Sequence, residues 1–408
     1  MQGPLRSKNP PPVAAGEGSN LSDSGRGLTE KDTGPDQYRQ RRFHAQRAIA
    51  NILRDDARSK RPDDYPGNVW RVVDCLWCRI GLVEVVRSLQ HGRAHYKGLQ
   101  TCGSVWLCPC CAAKVEERRR DEVQKVFDWA ASEGLDSTMV TNTFPHGMGD
   151  DLQGLFAGQA KALKLFRDHR VYRREMKAIG HVGIIRTLEI THGPSGWHPH
   201  THEVKFHREE LTHDDANMLR HRLVEPWRQA CISAGLITTE SDELAFYRYA
   251  IDLKPHFTCS DYLQKTDSLK TWTPAHEIAK ASSKSGRRSG QHPFALVVDG
   301  RPGVSQLLVE YATATKGKRK LYFSPGLKKK AGIVDLTDEE IAALEDDKAA
   351  ALANVTAAWK FIRRTDAAHN TRSRVLEAAE ANGRDGIAEL LWQLGFDPLG
   401  DDDDDFHN

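Results

Sequence analysis

The sequence predicts an α+β fold: an antiparallel sheet with helices on one face, preceded by a zinc-ribbon-like segment and followed by a helical C-terminal region. Three observations carry this expectation. Between residues 137 and 253, β-rich and helical stretches alternate in the order β-α-β-β-α-β. Six of the eight cysteines (Cys75, Cys78, Cys102, Cys108, Cys110 and Cys111) fall between positions 75 and 111. Residues 338–395 are rich in Ala, Leu and Glu, the composition of long helices.

Residues 1–38 hold Gly, Pro, Ser and charge without an apolar period, and predict a disordered arm. Residues 37–54 read as a basic helix, with Phe43, Ala45, Ile49 and Leu53 near helical spacing. A strand is expected at 80–86. A helix follows over 112–129, with Val115, Val123, Val126 and Phe127 near one face beside Arg118, Arg119 and Arg120. Residues 137–144 are β-rich and end at Pro145, and 152–173 are amphipathic. Strands at 184–191 and 200–207 flank the turn formers His192-Gly193-Pro194-Ser195-Gly196. Then come a helix at 211–234, a strand at 244–253, a basic loop at 280–288, a helix at 304–315 and a basic turn at 317–327. Asn382-Gly383 should break the last helical stretch. These readings divide the chain into 1–38, 39–130, 131–333 and 334–408.

The charge is split along the chain. Lys and Arg number 58 against 56 acidic residues, a net of +2. Residues 334–408 hold 18 acidic and 7 basic residues, a net of −11, which leaves 51 basic and 38 acidic residues, +13, on the rest. A basic body favours a polyanionic partner, and the acidic end reads as a solvated interaction arm. No apolar run reaches the ~18–20 residues of a membrane span, and residues 1–24 lack a signal peptide's apolar stretch. Clustered cysteines without a secretory signal read as a metal site and place the protein in the cytoplasm, with no membrane partner.

Three constellations could carry chemistry. In Trp197-His198-Pro199-His200-Thr201-His202, a strand would put His200 and His202 on one face. With a carboxylate from the preceding strand, Glu189 being preferred, they make a three-point site for a divalent cation with positions open to a phosphate oxygen. His198 shares the alternation but sits at the strand mouth beside Pro199. In Asp261-Tyr262-Leu263-Gln264-Lys265, helical spacing would make Tyr262 and Lys265 neighbours, so that an ammonium favours the phenolate. Cys75-x-x-Cys78 and Cys108-Pro109-Cys110-Cys111 form two knuckles that suit a structural Zn²⁺, with Cys75, Cys78, Cys108 and Cys111 as the simplest set. Cys102 or Cys110 could replace Cys75 or Cys78. A basic stretch, Lys316, Lys318, Arg319 and Lys320 before Tyr322 and Phe323, could track a nucleic-acid backbone while stacking bases.

Taken together, these residues resemble the rolling-circle replication initiators of small bacterial plasmids, within the His-hydrophobic-His (HUH) endonucleases. The likeness runs from about Gly98 to Leu327. It rests on Thr101-Cys102-Gly103-Ser104-Val105-Trp106-Leu107-Cys108-Pro109-Cys110-Cys111, on Thr141-Asn142-Thr143-Phe144-Pro145-His146-Gly147, and on Glu189 before the histidine motif. It continues with Tyr262-Leu263-Gln264-Lys265, Glu310-Tyr311-Ala312-Thr313, and Ser324-Pro325-Gly326-Leu327. The resemblance implies an HUH-type, ferredoxin/RRM-like sheet, His200 and His202 as ligands of Mg²⁺ or Mn²⁺, Tyr262 as nucleophile and Lys265 as its companion. It implies plasmid origin DNA, a host helicase and a host polymerase as partners. Thr201 stands where the family is usually hydrophobic, Asn142 interrupts the usual Thr-Leu-Thr, and Thr258 stands where some relatives carry a glutamate. A single-strand transposase or relaxase would use the same residues, although no Gly-x-x-x-x-Gly-Lys-Ser/Thr loop of a helicase is present. A non-catalytic zinc-ribbon DNA-binding regulator would not need them.

Overall fold

Two antiparallel sheets organise the chain. The structure, a computed structural model, describes residues 35–60, 70–89, 92–266, 290–344 and 348–397, all within one unit spanning 34–408. Helix α1 (Pro35–Lys60) precedes strands β1 (Arg79–Ser88) and β2 (Ala94–Leu99). Helix α2 (Pro109–Ser132) follows, then β3 (Asp136–Asn142), α3 (Leu152–Asp168), α4 (Arg170–Ala178), β4 (His181–Gly193) and β5 (Gly196–His207). Next are α5 (His213–Ala234), α6 (Glu240–Tyr249), β6 (Ile251–Lys254), α7 (Cys259–Thr266), α8 (Pro293–Val298) and α9 (Val304–Thr315). The chain continues through β7 (Leu321–Phe323), α10 (Leu327–Lys330), α11 (Asp338–Ala343), β8 (Ala349–Asn354), α12 (Trp359–His369) and α13 (Thr371–Gln393). The expected arm at 1–38 and the basic loop at 280–288 lie outside the described residues, apart from the start of α1.

The larger sheet has the order β6-β3-β5-β4-β7, with β5 at its centre. Directly opposed residues of antiparallel strands share a face, so the pairs Ile185–Val204, Thr187–His202 and Glu189–His200 all look the same way. Thr141 and Met139 of β3 join them, opposite His202 and Val204. The expectation of helices on one face is corrected here. Helices α3, α4 and α5 cover one side, where Phe156, Phe166, Tyr172 and Trp227 pack with Val140 and Trp197. Helix α2 covers the other with Val123, Val126 and Ala130 against Ile185, Val204 and Phe206. A sheet whose two faces both carry apolar residues needs two layers to bury them.

Other departures have local causes. The expected strand at 244–253 is mostly helix α6, because Thr239 and Asp242 form a reciprocal capping box that starts a helix. Only its last residues enter β6. The expected helix at 152–173 is two, parted at His169, whose backbone is extended. The turn at 317–327 contains β7, paired to β4.

The largest departure is at the acidic end. Residues 338–344 and 348–397 pack into the cores of the rest of the chain and are neither a separate region nor a solvated arm. The alanine-rich 349–354 is strand β8, added to β1 in the small sheet β2-β1-β8. Helices α12 and α13 place Trp359, Phe361, Ile362, Val375 and Ile387 in one core with Val83, Val85 and Tyr96. Pairing to a ready strand edge has overridden alanine's helix preference. Helix α13 does bend at the expected dipeptide, where Gly383 has φ +59° and Asn382 leaves helical geometry.

Candidate functional site

The histidine motif is delivered by register. Strand β5 alternates, so His200 and His202 face α2 while Thr201 and Glu203 face the opposite layer. Glu189 Oε2 lies 2.9 Å from His200 Nε2 and 3.2 Å from His202 Nε2. His202 Nδ1 is 3.0 Å from the Thr141 hydroxyl, an outer contact that fixes the ring and leaves Nε2 for the cluster. Burial opposes ionisation of Glu189, but hydrogen bonds from His200 and then His202 outweigh it and hold the carboxyl below the ordinary range. One ligand atom from each of the three residues lies within 4.8 Å of the others, so the set could hold a metal ion. Two imidazoles and a carboxylate suit Mn²⁺, Mg²⁺ or a later transition ion.

Two further histidines border this cluster. His146 stacks on His198 with ring centroids 4.5 Å apart and planes 12° apart. Burial, then the neighbouring His200, pulls His198 down to about 3, so the stacked pair includes a neutral imidazole at pH 7.

Tyr262 lies on the same side. Helix α7 is capped by Thr258, whose hydroxyl accepts from the Asp261 N–H at 3.2 Å. The helix entry is pinned to β3 by the Phe257 N–H, which donates to the Ser137 carbonyl at 2.9 Å. Tyr262 therefore packs in the α2 layer with Phe127, and only 3 % of it is exposed. Its hydroxyl is hydrogen-bonded to that of Thr187, the register partner of His202. Burial pushes the phenol's pKa up. Thr187, Tyr262, Glu116, Arg120 and Lys320 line one cleft between α2 and β7. Lys265 is in α7, but its side chain lies outside the described residues.

The cysteines meet at the start of α2. Cys108 is its N-cap, accepting from the Cys111 N–H at 3.4 Å, and Pro109 occupies N1, where a missing N–H is harmless. Sulfur separations are 3.4 Å for Cys75–Cys111, 3.6 Å for Cys75–Cys108 and 3.7 Å for Cys102–Cys111. A tetrahedral Zn–S bond of about 2.3 Å puts sulfurs roughly 3.8 Å apart, so the four fit a zinc ion. The simplest ligand set is corrected in one member: Cys102 is in the group and Cys78 is not. Cys78 is turned away by the backbone after Leu76, whose φ is +51°, and its thiol donates instead to Asp74 Oδ1 at 3.3 Å. Gly103, at φ +69°, lets the chain fold Cys102 inward; a Cβ there would sit 2.6 Å from the Glu339 Cα. Cys102→Ser is expected to lose bound zinc and the chelator-sensitive part of thermal stability, while Cys78→Ser retains both, as read by metal analysis and melting.

The basic stretch is exposed at Lys316, Lys318 and Arg319 and half-buried at Lys320. Lys316, Lys318 and Lys320 lie 5.6, 5.0 and 5.9 Å from the ring centres of Trp70, Phe156 and Trp106. Tyr322 and Phe323, expected to stack bases, already carry Arg186 and Lys328 over their rings. The surface offers charge more than open aromatic faces.

Sequence reasoning missed Thr187, and named Thr141 only as part of the family motif, without its contact to His202. Thr187 could have been found, since it lies two residues before Glu189 on an alternating strand. Thr141 required the β3–β5 register, which no local pattern supplies.

Fold and clusters together define an α+β protein with two candidate metal centres, one of four sulfurs and one of two imidazoles and a carboxylate on the sheet. The chain is similar to a protein named Protein rep from Streptomyces lividans, with 27% identity over 372 residues, 74% of this chain and 79% of that protein. It is also similar to a Neomycin resistance protein from Streptomyces cyanogenus, with 30% identity over 141 residues, 28% of this chain and 32% of that protein. No family model matches the chain. No solved structure matches it either. Among the described residues, no helix is long and apolar enough to cross a membrane.

Proposed function

We propose that this protein initiates rolling-circle replication of a plasmid, as an HUH-type endonuclease that nicks one strand at the origin and later rejoins it. One observation carries the reading: a buried tyrosine is hydrogen-bonded to the residue paired in register with His202, on the face that bears Glu189 and His200. The similarity to Protein rep supports a role in replication. Glu189, His200 and His202 would hold Mg²⁺ or Mn²⁺, which when bound supplies positive charge to the phosphate being attacked. Cys75, Cys102, Cys108 and Cys111 would hold a structural Zn²⁺.

In this reading the Tyr262 oxygen forms a bond to the scissile phosphorus, and the bond from phosphorus to the 3′ oxygen breaks. The phenol proton is lost, the 3′ oxygen gains one, and the strand is left with a 5′-phosphotyrosine link and a free 3′-hydroxyl. That hydroxyl primes a host polymerase behind a host helicase, and a second transfer rejoins the ends. Lys265, three residues on in α7, would supply the cation that favours the phenolate. Lys316, Lys318, Arg319 and Lys320 would hold the DNA backbone. Such a protein works in the cytoplasm.

Mixing the protein with single-stranded origin DNA and Mn²⁺ is expected to give a denaturation-resistant protein–DNA adduct, and Tyr262→Phe to give none. DNA binding without any adduct in the wild-type protein would favour the zinc-ribbon regulator instead.

A further inference from the structure

A threonine on the cation-facing side of the sheet has an unusual neighbour. Thr187 is 5 % exposed, in a strand whose adjacent residue on that face, Ile185, is wholly apolar. Packing alone would be served by valine, which has the same shape and suits a strand better. The Thr187 hydroxyl is instead committed to the Tyr262 hydroxyl, and both side chains are buried. Its backbone is held from both sides, by His202 of β5 and by Leu321 of β7, and the Leu188 N–H donates to the Lys320 carbonyl at 2.9 Å. Thr187 is thus a rigid point on the strand that carries Glu189, and the tip of a long side chain from another element is tied to it.

A phenol has two soft torsions; packing against Phe127 and α2 confines the Tyr262 ring, and the Thr187 contact fixes where its oxygen sits. Without the Thr187 contact, the oxygen could shift within the cleft that Tyr262 shares with Arg120 and Lys320. Reaction rates depend steeply on such placement, with losses of about 100-fold for an ångström-scale error. We propose that Thr187 is a positioning residue that registers the Tyr262 oxygen to the Glu189–His200–His202 column. The threonine can accept from the phenol before attack and donate to its oxygen as the proton leaves, so one contact serves both states. This role rests on the reading of Tyr262 as the nucleophile.

The test uses full-length protein and two readouts. In single-turnover reactions on origin DNA with Mn²⁺, Thr187→Val should slow adduct formation by about 10- to 100-fold with unchanged DNA affinity, and Thr187→Ser should restore it. In protein labelled with 3-fluorotyrosine, the ¹⁹F resonance that disappears in Tyr262→Phe should move in Thr187→Val and return in Thr187→Ser. An unmoved resonance, or a wild-type rate in Thr187→Val, overturns the positioning role while the nucleophile stands. No adduct from the wild-type protein, or an adduct from Tyr262→Phe, overturns the nucleophile and the positioning role with it, whatever the resonance does.

Discussion

Replacing His202 with alanine is expected to slow covalent capture of origin DNA by about 100- to 1,000-fold, the scale seen when a group that stabilises transition-state charge is removed. His202 is the innermost member of its cluster, 3 % exposed and held between Thr141 and Glu189. Its loss leaves Glu189 with His200 as its remaining imidazole partner, and two ligands do not fix a divalent ion. The defect should lessen as Mn²⁺ is raised, because a weakened site fills at higher concentration. Affinity for DNA should be retained, since the basic stretch at 316–320 is on different elements. Adduct formation equal to wild type at every Mn²⁺ concentration would show that the cation site is elsewhere.

Stopping the chain after residue 344 is expected to unfold the α1–β1–β2 part of the protein. Such a truncation removes β8 from the edge of β1 and takes Trp359, Phe361, Ile362, Val375 and Ile387 out of the shared core. Each large apolar side chain contributes about 1.5–3 kcal/mol when buried, and a whole domain is stable by only about 5–15 kcal/mol. The loss also reaches the cysteines. Arg372 and Asp366 form an ion pair with both side chains fully buried, 2.9 Å apart. Arg372 donates to the Leu76 carbonyl and to Gln46, each at 3.1 Å, and Gln46 donates to the Cys75 carbonyl at 2.6 Å. Removing the carboxylate by Asp366→Ala, which also ends its 2.8 Å pair with Arg47, should cost at least about 3–5 kcal/mol, because a buried guanidinium is left without its carboxylate. Circular dichroism and limited proteolysis would check both; a truncated chain that keeps the wild-type spectrum and resistance would refute the first.

The legible parts were those governed by local rules. Alternation in β5 and the Pro194-Ser195 turn set the β4–β5 hairpin, and with it the facing of Glu189, His200 and His202. Helix α9 has the expected limits because its apolar period is unbroken. Whatever depended on distant partners was not legible. Nothing in the alanine-rich 349–354 says that β1 has a free edge for it. The choice of Cys102 over Cys78 turns on backbone signs at Leu76 and Gly103, and only glycine advertises such a sign in advance. Residues 244–253 read as a strand, yet the capping box of Thr239 and Asp242 before them decided for a helix.

The pairing of β1 with β8 also bears on the order in which the protein is made. Val85 and Ala353 are register partners roughly 270 residues apart, and closing so long a loop costs about 5 kcal/mol of chain entropy. At about 5–20 residues per second, the ribosome takes tens of seconds to deliver the second strand after the first. Cys75 emerges just before β1 and the other three cluster cysteines soon after it, so the sulfur site can assemble while β1 still waits with an open edge. The edge of β1 therefore stays open while everything between residues 88 and 349 is made. A prematurely terminated chain would carry the intact Tyr262 region beside an unpaired strand, the kind of edge that invites aggregation and clearance.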